Sequence, residues 1–381
     1  MRIAVILGKL GSAVHGKLDV NGIFDSTENF VTGTVSGFFN IAWGLAESGN
    51  EVDAFCDTPT SVPHSVHGGA NFYPLHSRVD LTYDAYISIN EPDILRAVPG
   101  NKPRLCATWL NNFSFCKAGF DAFVDRYVCP SETLALKLNR IEDRSIDQRK
   151  MAIIPLGINL EFFAKKRKKR PGSIAYCSSP DRGLHHLLAL FPQIRATVPE
   201  AHLRIYYRYW PWYEDVMTNR RLQKSPIRIR AEIIAHYLKK LGTDGQNGVH
   251  LIGPIPPRRM AEELLETKVL AYTCDPITFT EGFSAATMEA CAAGAVPIIS
   301  DADALPEIYW NAAHVMRGNP RKKSEDWISA IVMALTNESF SEPIRSSAMN
   351  HAREHARQQI ARRWEILIRE TIERRHLCRQ G

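Results

Sequence analysis

The sequence lacks three features that would assign it to a class at once: paired cysteines, long apolar runs and a large excess of one charge. Its eight cysteines are scattered with no C-x-x-C pair, which argues against a zinc cluster and a disulfide framework. Several of them lie in apolar runs, where a reduced thiol behaves as a small hydrophobic group. A reducing, cytoplasmic location is therefore expected.

The other two absences narrow the class further. No apolar run approaches the roughly 20 residues needed to cross a membrane, and the apolar start at residues 1–10 is too short for a signal peptide and is typical of a first strand. The net charge of +6 over 381 residues is far below what a nucleic-acid-binding protein normally shows. The length predicts two domains of ordinary size.

A dinucleotide-binding fingerprint is also missing. The first apolar run, residues 3–7, is followed by Gly8-Lys9-Leu10-Gly11, and no G-x-G-x-x-G loop leads from it directly into a helix. Asp57, after the second strand-like run, has the chemistry to hold a ribose. An NAD-dependent oxidoreductase with two Rossmann-like halves is therefore an alternative, which the absent fingerprint disfavours.

Apolar strand-like runs alternate with helical patterns in both halves of the chain. This alternation predicts two parallel sheets with covering helices. The predicted strands are residues 3–7, 51–56, 85–89, 104–108 and 127–129 in the first half, and 173–177, 202–207, 249–252, 269–272 and 296–299 in the second.

Residues 268–300 carry the clearest functional signal. A strand and a loop lead into a short helix, with Ser284 placed to cap its N-terminus and Gly294 suited to the left-handed position after its end, and a second strand follows. The start of such a helix lies at the carboxyl edge of a parallel sheet. Its free N–H groups and its dipole favour an anion there.

Two carboxylates frame this helix start. Glu281 lies in the loop before the helix, and Glu289 lies about one and a half turns inside it. Carboxylates repel a phosphate, whereas sugar and ribose hydroxyls donate to an ionised oxygen. A nucleotide sugar presents sugar hydroxyls, a diphosphate and ribose hydroxyls in that order, and so fits all three features. The plainer alternative is that Glu281 stabilises the helix dipole and Glu289 is solvated.

The same residues resemble a family signature. The stretch reads Glu281-Gly282-Phe283, then Glu289-Ala290-Cys291-Ala292-Ala293-Gly294-Ala295-Val296-Pro297, then Leu305-Pro306-Glu307-Ile308. It is similar to the Glu-x7-Glu signature of the retaining glycosyltransferases of family 4 in its spacing, its Gly-Phe pair, its Ala/Gly-rich helix end and the Pro-Glu beyond the next strand.

The resemblance implies the α/β GT-B fold, in which two Rossmann-like domains with parallel sheets face each other across a cleft. It implies an acceptor-side domain over residues 1–163, a basic linker over 164–172, a nucleotide-sugar-binding domain over 173–345, and a C-terminal helix over 346–381 that crosses back to the first domain. The implied activity is metal-independent transfer of a sugar from a nucleoside diphosphate sugar, with no cofactor, to a glycan, lipid-linked or other hydroxyl acceptor.

The resemblance also implies roles for single residues. Glu281 would hold the hydroxyls of the sugar near an oxocarbenium-like transition state, and Glu289 would hold the ribose. Arg182 falls on the phosphate-binding lysine of the family and offers a fork of donors to diphosphate oxygens, so Glu281 and Arg182 are the expected catalytic residues. The other expected donor-binding residues are Gly282, Phe283, Ser284, Ser179, Gly183 and Gly33.

Two places depart from the family pattern. Cys177 stands about where the family has a second cation for the diphosphate, and Arg208, at the end of the next strand, is a candidate replacement. On the acceptor side, Trp109 and Asn111 stand where many members carry a histidine, which predicts a divergent acceptor pocket. The base and sugar of the donor, and the acceptor, stay open.

Two further stretches have a plain and a functional interpretation. Residues 165–170, KKRKKR, are six consecutive cations, typical of a solvated linker. Their alternative role is contact with anionic headgroups on the inner face of a membrane, at about 1 kcal/mol per cation near the surface. The aromatic residues between 206 and 213 suit the packing of a helical insertion, or stacking on sugar rings.

Asp301-Ala302-Asp303 is a D-x-D sequence, the metal-binding element of the other glycosyltransferase architecture, GT-A. A lone D-x-D is a weak signal, and metal independence is the prediction. A catalytically inactive sugar-nucleotide-binding protein is a further alternative, which the presence of Glu281, Glu289 and Arg182 disfavours.

Overall fold

The computed structural model describes residues 1–8, 18–20, 22, 31–58, 65–75, 77, 82–98, 101–107, 119–139 and 146–380. Two compact units make up the chain. The first is Met1–Asn159 together with Glu354–Gly381, and the second is Leu160–Arg353. The first unit thus ends at Asn159 and not at residue 163, and its C-terminal segment starts at Glu354 and not at residue 346. The basic segment 164–172 lies inside the second unit.

The strands of the first unit are β1 (Arg2–Leu7), β2 (Glu51–Cys56), β3 (Ser65–His67), β4 (Ala70–Pro74), β5 (Ala85–Ile89), β6 (Arg104–Ala107), β7 (Arg126–Cys129) and β8 (Met151–Ile153). Those of the second unit are β9 (Ser173–Tyr176), β10 (His202–Ile205), β11 (Val249–Leu251), β12 (Val269–Tyr272), β13 (Val296–Ser300) and β14 (His314–Met316).

The α-helices of the described residues are α1 (Gly33–Glu47), α2 (Glu132–Asn139), α3 (Leu184–Thr197), α4 (Tyr209–Thr218), α5 (Pro226–Leu241), α6 (Pro257–Leu265), α7 (Ala285–Ala292), α8 (Leu305–Tyr309), α9 (Ser324–Thr336), α10 (Glu338–Glu354) and α11 (Arg357–Gln380). The tail expected as one helix thus forms two, α10 and α11.

The sheet of the first unit has the order β3-β4-β2-β1-β5-β6-β7-β8 in the described residues. Every neighbouring pair is parallel except β3 and β4 at one edge, which the sequence did not predict. Strands β1, β5, β6 and β7 are almost completely buried, as expected where helices cover both faces of a parallel sheet. The predicted alternation of strand and helix is confirmed for this unit.

Helix α11 packs against α1 in the first unit. The approach is close at Gly44, where an added Cβ would lie 2.7 Å from the carbonyl oxygen of Arg357 and 3.0 Å from the Cβ of Ala361. Arg357 also donates from Nε to Glu47 at 3.0 Å. Asn40 donates to the carbonyl oxygen of Gly157 at 2.9 Å, which ties α1 to the end of the unit.

We expect Gly44→Ala to destabilise the protein, although Gly→Ala inside a helix usually stabilises by about 0.5–1 kcal/mol. The added methyl group has no room beside the backbone of α11, and overpacking of this kind costs about 1–3 kcal/mol. Urea denaturation measures the change. A free energy of unfolding that rises in the variant would show that α1 and α11 are not in close contact.

The second unit holds a parallel sheet in the order β11-β10-β9-β12-β13-β14. Helices α6 and α7 pack on it through a cluster that includes Leu264, Leu270 and Ala290. Strands β9 and β12 are parallel neighbours, with Ile174 opposite Val269. Because parallel strands end at the same edge, the loops that follow β9 and β12 meet there.

Candidate functional site

The two expected catalytic residues come together at this edge. Arg182 ends the loop after β9, and Glu281 lies in the loop after β12. Their side chains form an ion pair with 3.0 Å between Nη1 and Oε2, in which 30% of the Arg182 side chain and 7% of the Glu281 side chain are exposed.

A tyrosine that the sequence marked only as a strand residue completes the contact. The hydroxyl of Tyr272, the last residue of β12, donates to Oε2 of Glu281 at 2.5 Å. The hydroxyl of Ser178 donates in turn to the Tyr272 oxygen at 3.1 Å. The sequence could have indicated this role, because Tyr272 ends the strand before Glu281 and the carboxyl ends of parallel strands face the site.

The charge of Arg182 is fixed by its neighbours. Burial by itself lowers the pKa of a guanidinium, but the carboxylate of Glu281, with Tyr272 and Asp181, more than offsets the burial and raises the pKa of Arg182. Arg182 is therefore a permanent cation with a carboxylate partner. An incoming anion meets a charge that is already oriented.

Gly183 holds the two loops together. Its φ of +132° is in the region that glycine tolerates and other residues avoid, and a Cβ there would lie 1.8 Å from the carbonyl oxygen of Thr273. The hydroxyl of Thr273 donates to the carbonyl oxygen of Gly183 at 2.8 Å. The predicted donor-binding glycine is thus a position of close backbone packing beside Arg182.

The D-x-D aspartates bind backbone amides. Oδ2 of Asp303 accepts from the amides of Thr280 at 2.8 Å and Glu281 at 2.9 Å. The amide of Ala304 donates to the carbonyl oxygen of Glu281 at 3.1 Å. Asp301 accepts from the amide of Gly318 at 3.2 Å. The Asp303 carboxylate therefore fixes the backbone of the loop that carries Glu281.

The sequence predicted the C-terminal end of helix α7 correctly but not its N-terminal cap. Ser284 is at the N-cap position but makes no capping hydrogen bond, because its backbone is left-handed, with φ at +69°; its hydroxyl lies 2.8 Å from that of Thr287. The expected side-chain cap is wrong. At the other end, Gly294 has a φ of +65°, and its amide and that of Ala295 bond back to Cys291 and Ala290, which closes the helix as predicted.

Glu289, the fifth residue of α7, is half-buried, and within the described residues its carboxylate has no hydrogen-bond partner. Burial raises its pKa to about 7. A partly buried carboxyl without a hydrogen-bond partner lowers the free energy of unfolding unless a ligand or water supplies the missing hydrogen bond. The residue is therefore poised to accept a hydrogen bond from a ligand.

We expect Glu289→Gln to be more stable than the wild type at pH 8 by on the order of 1–3 kcal/mol, since one pKa unit is worth about 1.4 kcal/mol. The folded state holds the proton up to about pH 7, whereas the unfolded carboxyl loses it near 4.5. The wild type therefore loses stability as the pH rises through this window, and Gln does not titrate.

Thermal unfolding from pH 5 to 8 measures this difference. Glu325→Gln, at an exposed position of α9, is the matched control and leaves the pH dependence unchanged. Equal pH profiles for the wild type and Glu289→Gln would show that Glu289 is solvated, the plainer alternative above.

The position expected for a second diphosphate cation is neutral. Burial, and after it the charge of Glu289, raise the pKa of the Cys177 thiol, which places that thiol near Glu289 in an uncharged state. Arg208, the candidate replacement, lies immediately before α4 and is half-buried.

The remaining expected residues are distributed more widely. Ser179 bonds the carboxylate of Asp181, and Gly282 and Phe283 are buried beside Glu281, with 6.3 Å between the rings of Phe283 and Tyr309. Gly33 is the first residue of α1 in the other unit. Trp109 and Asn111 lie outside the described residues. The aromatic stretch runs from the end of β10 into the start of α4, where Tyr209 is buried and donates to the carbonyl oxygen of Ala231 at 2.8 Å.

Half of the basic run 165–170 is engaged within the second unit. Arg167 pairs with Glu266 at 2.7 Å, and Arg170 pairs with Glu263 at 2.7 Å. The ammonium of Lys169 donates to the carbonyl oxygen of Ala293 at 2.8 Å, and burial lowers its pKa to about 7. Only the lysines at 165, 166 and 168 stay exposed without a resolved contact in this part of the chain, so the run is more than a solvated linker.

Among the described residues, one group has the composition of a metal site. His185, His186 and Asp275 place one ligand atom each within 4.8 Å of one another. Nε2 of His186 lies 2.9 Å from Asp275, but the guanidinium of Arg230 lies 3.3 Å from the same carboxylate oxygen. A fixed positive charge at that distance disfavours a second cation. The group does not suit a metal ion.

Comparison with known proteins defines the fold. No protein-family model matches the chain, and no curated protein sequence is similar to it. A sucrose-phosphate synthase from Thermosynechococcus elongatus matches with a TM-score of 0.66 at 14% identity, over 97% of this chain and 98% of that one. AviGT4, a glycosyltransferase involved in avilamycin A biosynthesis, matches with 0.64 at 16% identity over 98% of both chains. HepE from Anabaena, in complex with UDP and glucose, matches with 0.63 at 14% identity, over 97% and 100%.

The chain therefore has the GT-B fold of these enzymes, and the fold predicted from the sequence is confirmed. None of the described helices has the length and apolar character needed to cross a bilayer.

Proposed function

We propose that the protein transfers a sugar from a nucleoside diphosphate sugar to a hydroxyl of a glycan, a lipid-linked sugar or another acceptor, with retention of configuration and without a metal ion. The observation that carries this proposal is the ion pair of Arg182 with Glu281, in the loop before α7, the helix whose fifth residue, Glu289, has a carboxylate without a hydrogen-bond partner among the described residues. One cation and two carboxylates are the groups that the diphosphate and the two sets of hydroxyls of such a donor would need.

Arg182 and Glu281 pair with each other before the donor binds, and each contacts the donor afterwards. Diphosphate oxygens accept from the guanidinium of Arg182 and neutralise it, which frees Oε2 of Glu281 to accept from sugar hydroxyls. As the bond between the anomeric carbon and the diphosphate breaks, negative charge builds on the leaving oxygen, and Arg182 stabilises it. The Tyr272 hydroxyl keeps the carboxylate of Glu281 oriented.

Glu289 holds the ribose in this proposal. Ribose hydroxyls donate to its ionised form, so donor binding replaces the missing hydrogen bonds and removes the proton that burial favours. Retention follows if the acceptor hydroxyl attacks on the face that the diphosphate leaves. The acceptor oxygen then bonds the anomeric carbon, and its proton passes to a phosphate oxygen of the leaving group.

The similar structures support the choice of donor class. HepE was solved with UDP and glucose, and a trehalose-6-phosphate enzyme from E. coli was solved with UDP-2-fluoro glucose. We therefore propose a uridine diphosphate sugar as the first donor to test. Action in the cytoplasm, with the exposed lysines of residues 165–168 resting on the inner face of a membrane, is part of the same proposal.

We expect calorimetry to show binding of one of UDP, GDP and ADP, with the same affinity in EDTA. Arg182→Gln should weaken this binding about 10- to 100-fold, because a charge-assisted hydrogen bond contributes about 1.5–3 kcal/mol.

At pH 6 the wild type should release a proton when the nucleoside diphosphate binds, since Glu289 is protonated before binding and ionised afterwards. The affinity should rise as the pH increases through 7.

Glu289→Gln is the control for the proton, and its binding should be independent of buffer ionisation enthalpy. Binding of NAD⁺ alone would instead favour the oxidoreductase. A requirement for Mn²⁺ would contradict metal independence.

We expect Glu281→Gln to retain nucleoside diphosphate binding and to lower the turnover number by about 10²- to 10³-fold, the loss typical of one electrostatic group at a transition state. The configuration of the product, measured by proton NMR during transfer from an α-linked donor, should be α. A β-product would rule out retention, and full turnover in the variant would remove Glu281 from the chemistry.

A further inference from the structure

Arg230 joins the two loops that carry the site, although it belongs to neither. It lies on α5 with only 14% of its side chain exposed. Its Nη1 donates to the carbonyl oxygen of Asp181 at 2.6 Å and to that of Asp275. Its Nη2 lies 3.3 Å from Oδ2 of Asp275. One guanidinium therefore bonds the residue before Arg182 and the loop that leads to Glu281.

Other bonds run between the same loops. The amide of Asp275 donates to the carbonyl oxygen of Arg182 at 3.0 Å. Nε2 of His186, on the first turn of α3, lies 2.9 Å from the Asp275 carboxylate. The bond from Thr273 to Gly183 lies two residues earlier in the second loop. Among these contacts, Arg230 is the residue that reaches the loops after β9 and β12 from a helix outside both of them.

The chemistry of the contact requires an arginine. Two carbonyl oxygens and one carboxylate oxygen converge on one point, and a guanidinium offers several N–H donors in a planar fork that can meet all three. A lysine offers a single point of charge, and a neutral side chain leaves both carbonyl oxygens without this donor and the Asp275 carboxylate with the His186 contact alone. The His185, His186 and Asp275 group is accordingly a part of this junction.

We propose that Arg230 is a positioning residue for sugar transfer: it clamps the loops after β9 and β12 so that Arg182 and Glu281 meet the diphosphate and the sugar of one donor. The inference rests on the proposed function. It assigns no contact of Arg230 with substrate; its effect passes through the backbone of Asp181 and the loop at Asp275.

Release of nucleoside diphosphate from the nucleotide sugar that the wild type uses is the first readout. Arg230→Ala should lower the turnover number about 10- to 100-fold, the scale of a small misplacement of catalytic groups, with a much smaller change in KM. Arg230→Lys should recover little of it, and added guanidinium ion, but not methylammonium, should restore turnover in Arg230→Ala. Arg228→Ala, on the same helix and bonded to Glu232 and to the carbonyl oxygen of Met217, should match the wild type.

Amide hydrogen exchange is the second readout and does not depend on activity. The amide of Asp275 should exchange faster in Arg230→Ala and Arg230→Lys than in the wild type, and at the wild-type rate in Arg228→Ala. This arm stands even if the wild type cleaves no nucleotide sugar, an outcome that defeats the proposed function. Unchanged turnover and unchanged exchange in Arg230→Ala overturn the clamp. So does stoichiometric Zn²⁺ or Mn²⁺ binding that is lost in His185→Ala and required for turnover, because the junction would then be a metal site.

Discussion

The pairing of Arg182 with Glu281 away from bulk water is the interaction on which the rest of the site depends. A buried charge is stable only with a partner and with its remaining hydrogen bonds made, so both loops must place their side chains with little freedom. The parallel pairing of β9 and β12 brings the loops to one edge, and Gly183 allows their backbones to touch. Tyr272 and Asp303 then fix the carboxylate and the backbone of Glu281. Protein groups thus hold the side chain and the backbone of Glu281 in place in the absence of a ligand.

Glu289 shows the opposite arrangement. Its half-buried carboxyl has no hydrogen-bond donor among the described residues, and burial raises its pKa to about 7. A side chain in this state lowers the stability of the free protein, and a ligand that donates to it recovers the loss. The loop that carries Glu281 is therefore satisfied by protein groups, while the helix that follows it carries a carboxyl group that is not.

The fold was predictable where strands are long or strongly apolar. The buried runs at β1, β2, β5, β9, β12 and β13 have the continuous apolar character of parallel strands, and the structure has them within a residue or two of the predicted ends. The antiparallel β3 and β4, and the short β8 and β14, were missed, because three to five residues carry too little pattern to distinguish a strand from a loop. The basic run was assigned to a linker because charge alone does not show that Glu263 and Glu266 lie opposite it.

For the site, the sequence by itself determined which groups are present and roughly where on an element each lies: Glu281 before a helix, Glu289 inside it, Arg182 before a glycine. Spacing along one helix and position at a strand end are local properties, and local geometry follows from sequence. Only the tertiary structure decided that Arg182 pairs with Glu281, that Tyr272 bonds the same oxygen, that Asp303 holds backbone amides and that Arg230 reaches both loops. These partners are separated by tens of residues, and they meet because the sheet order places β9 beside β12, which no local pattern encodes.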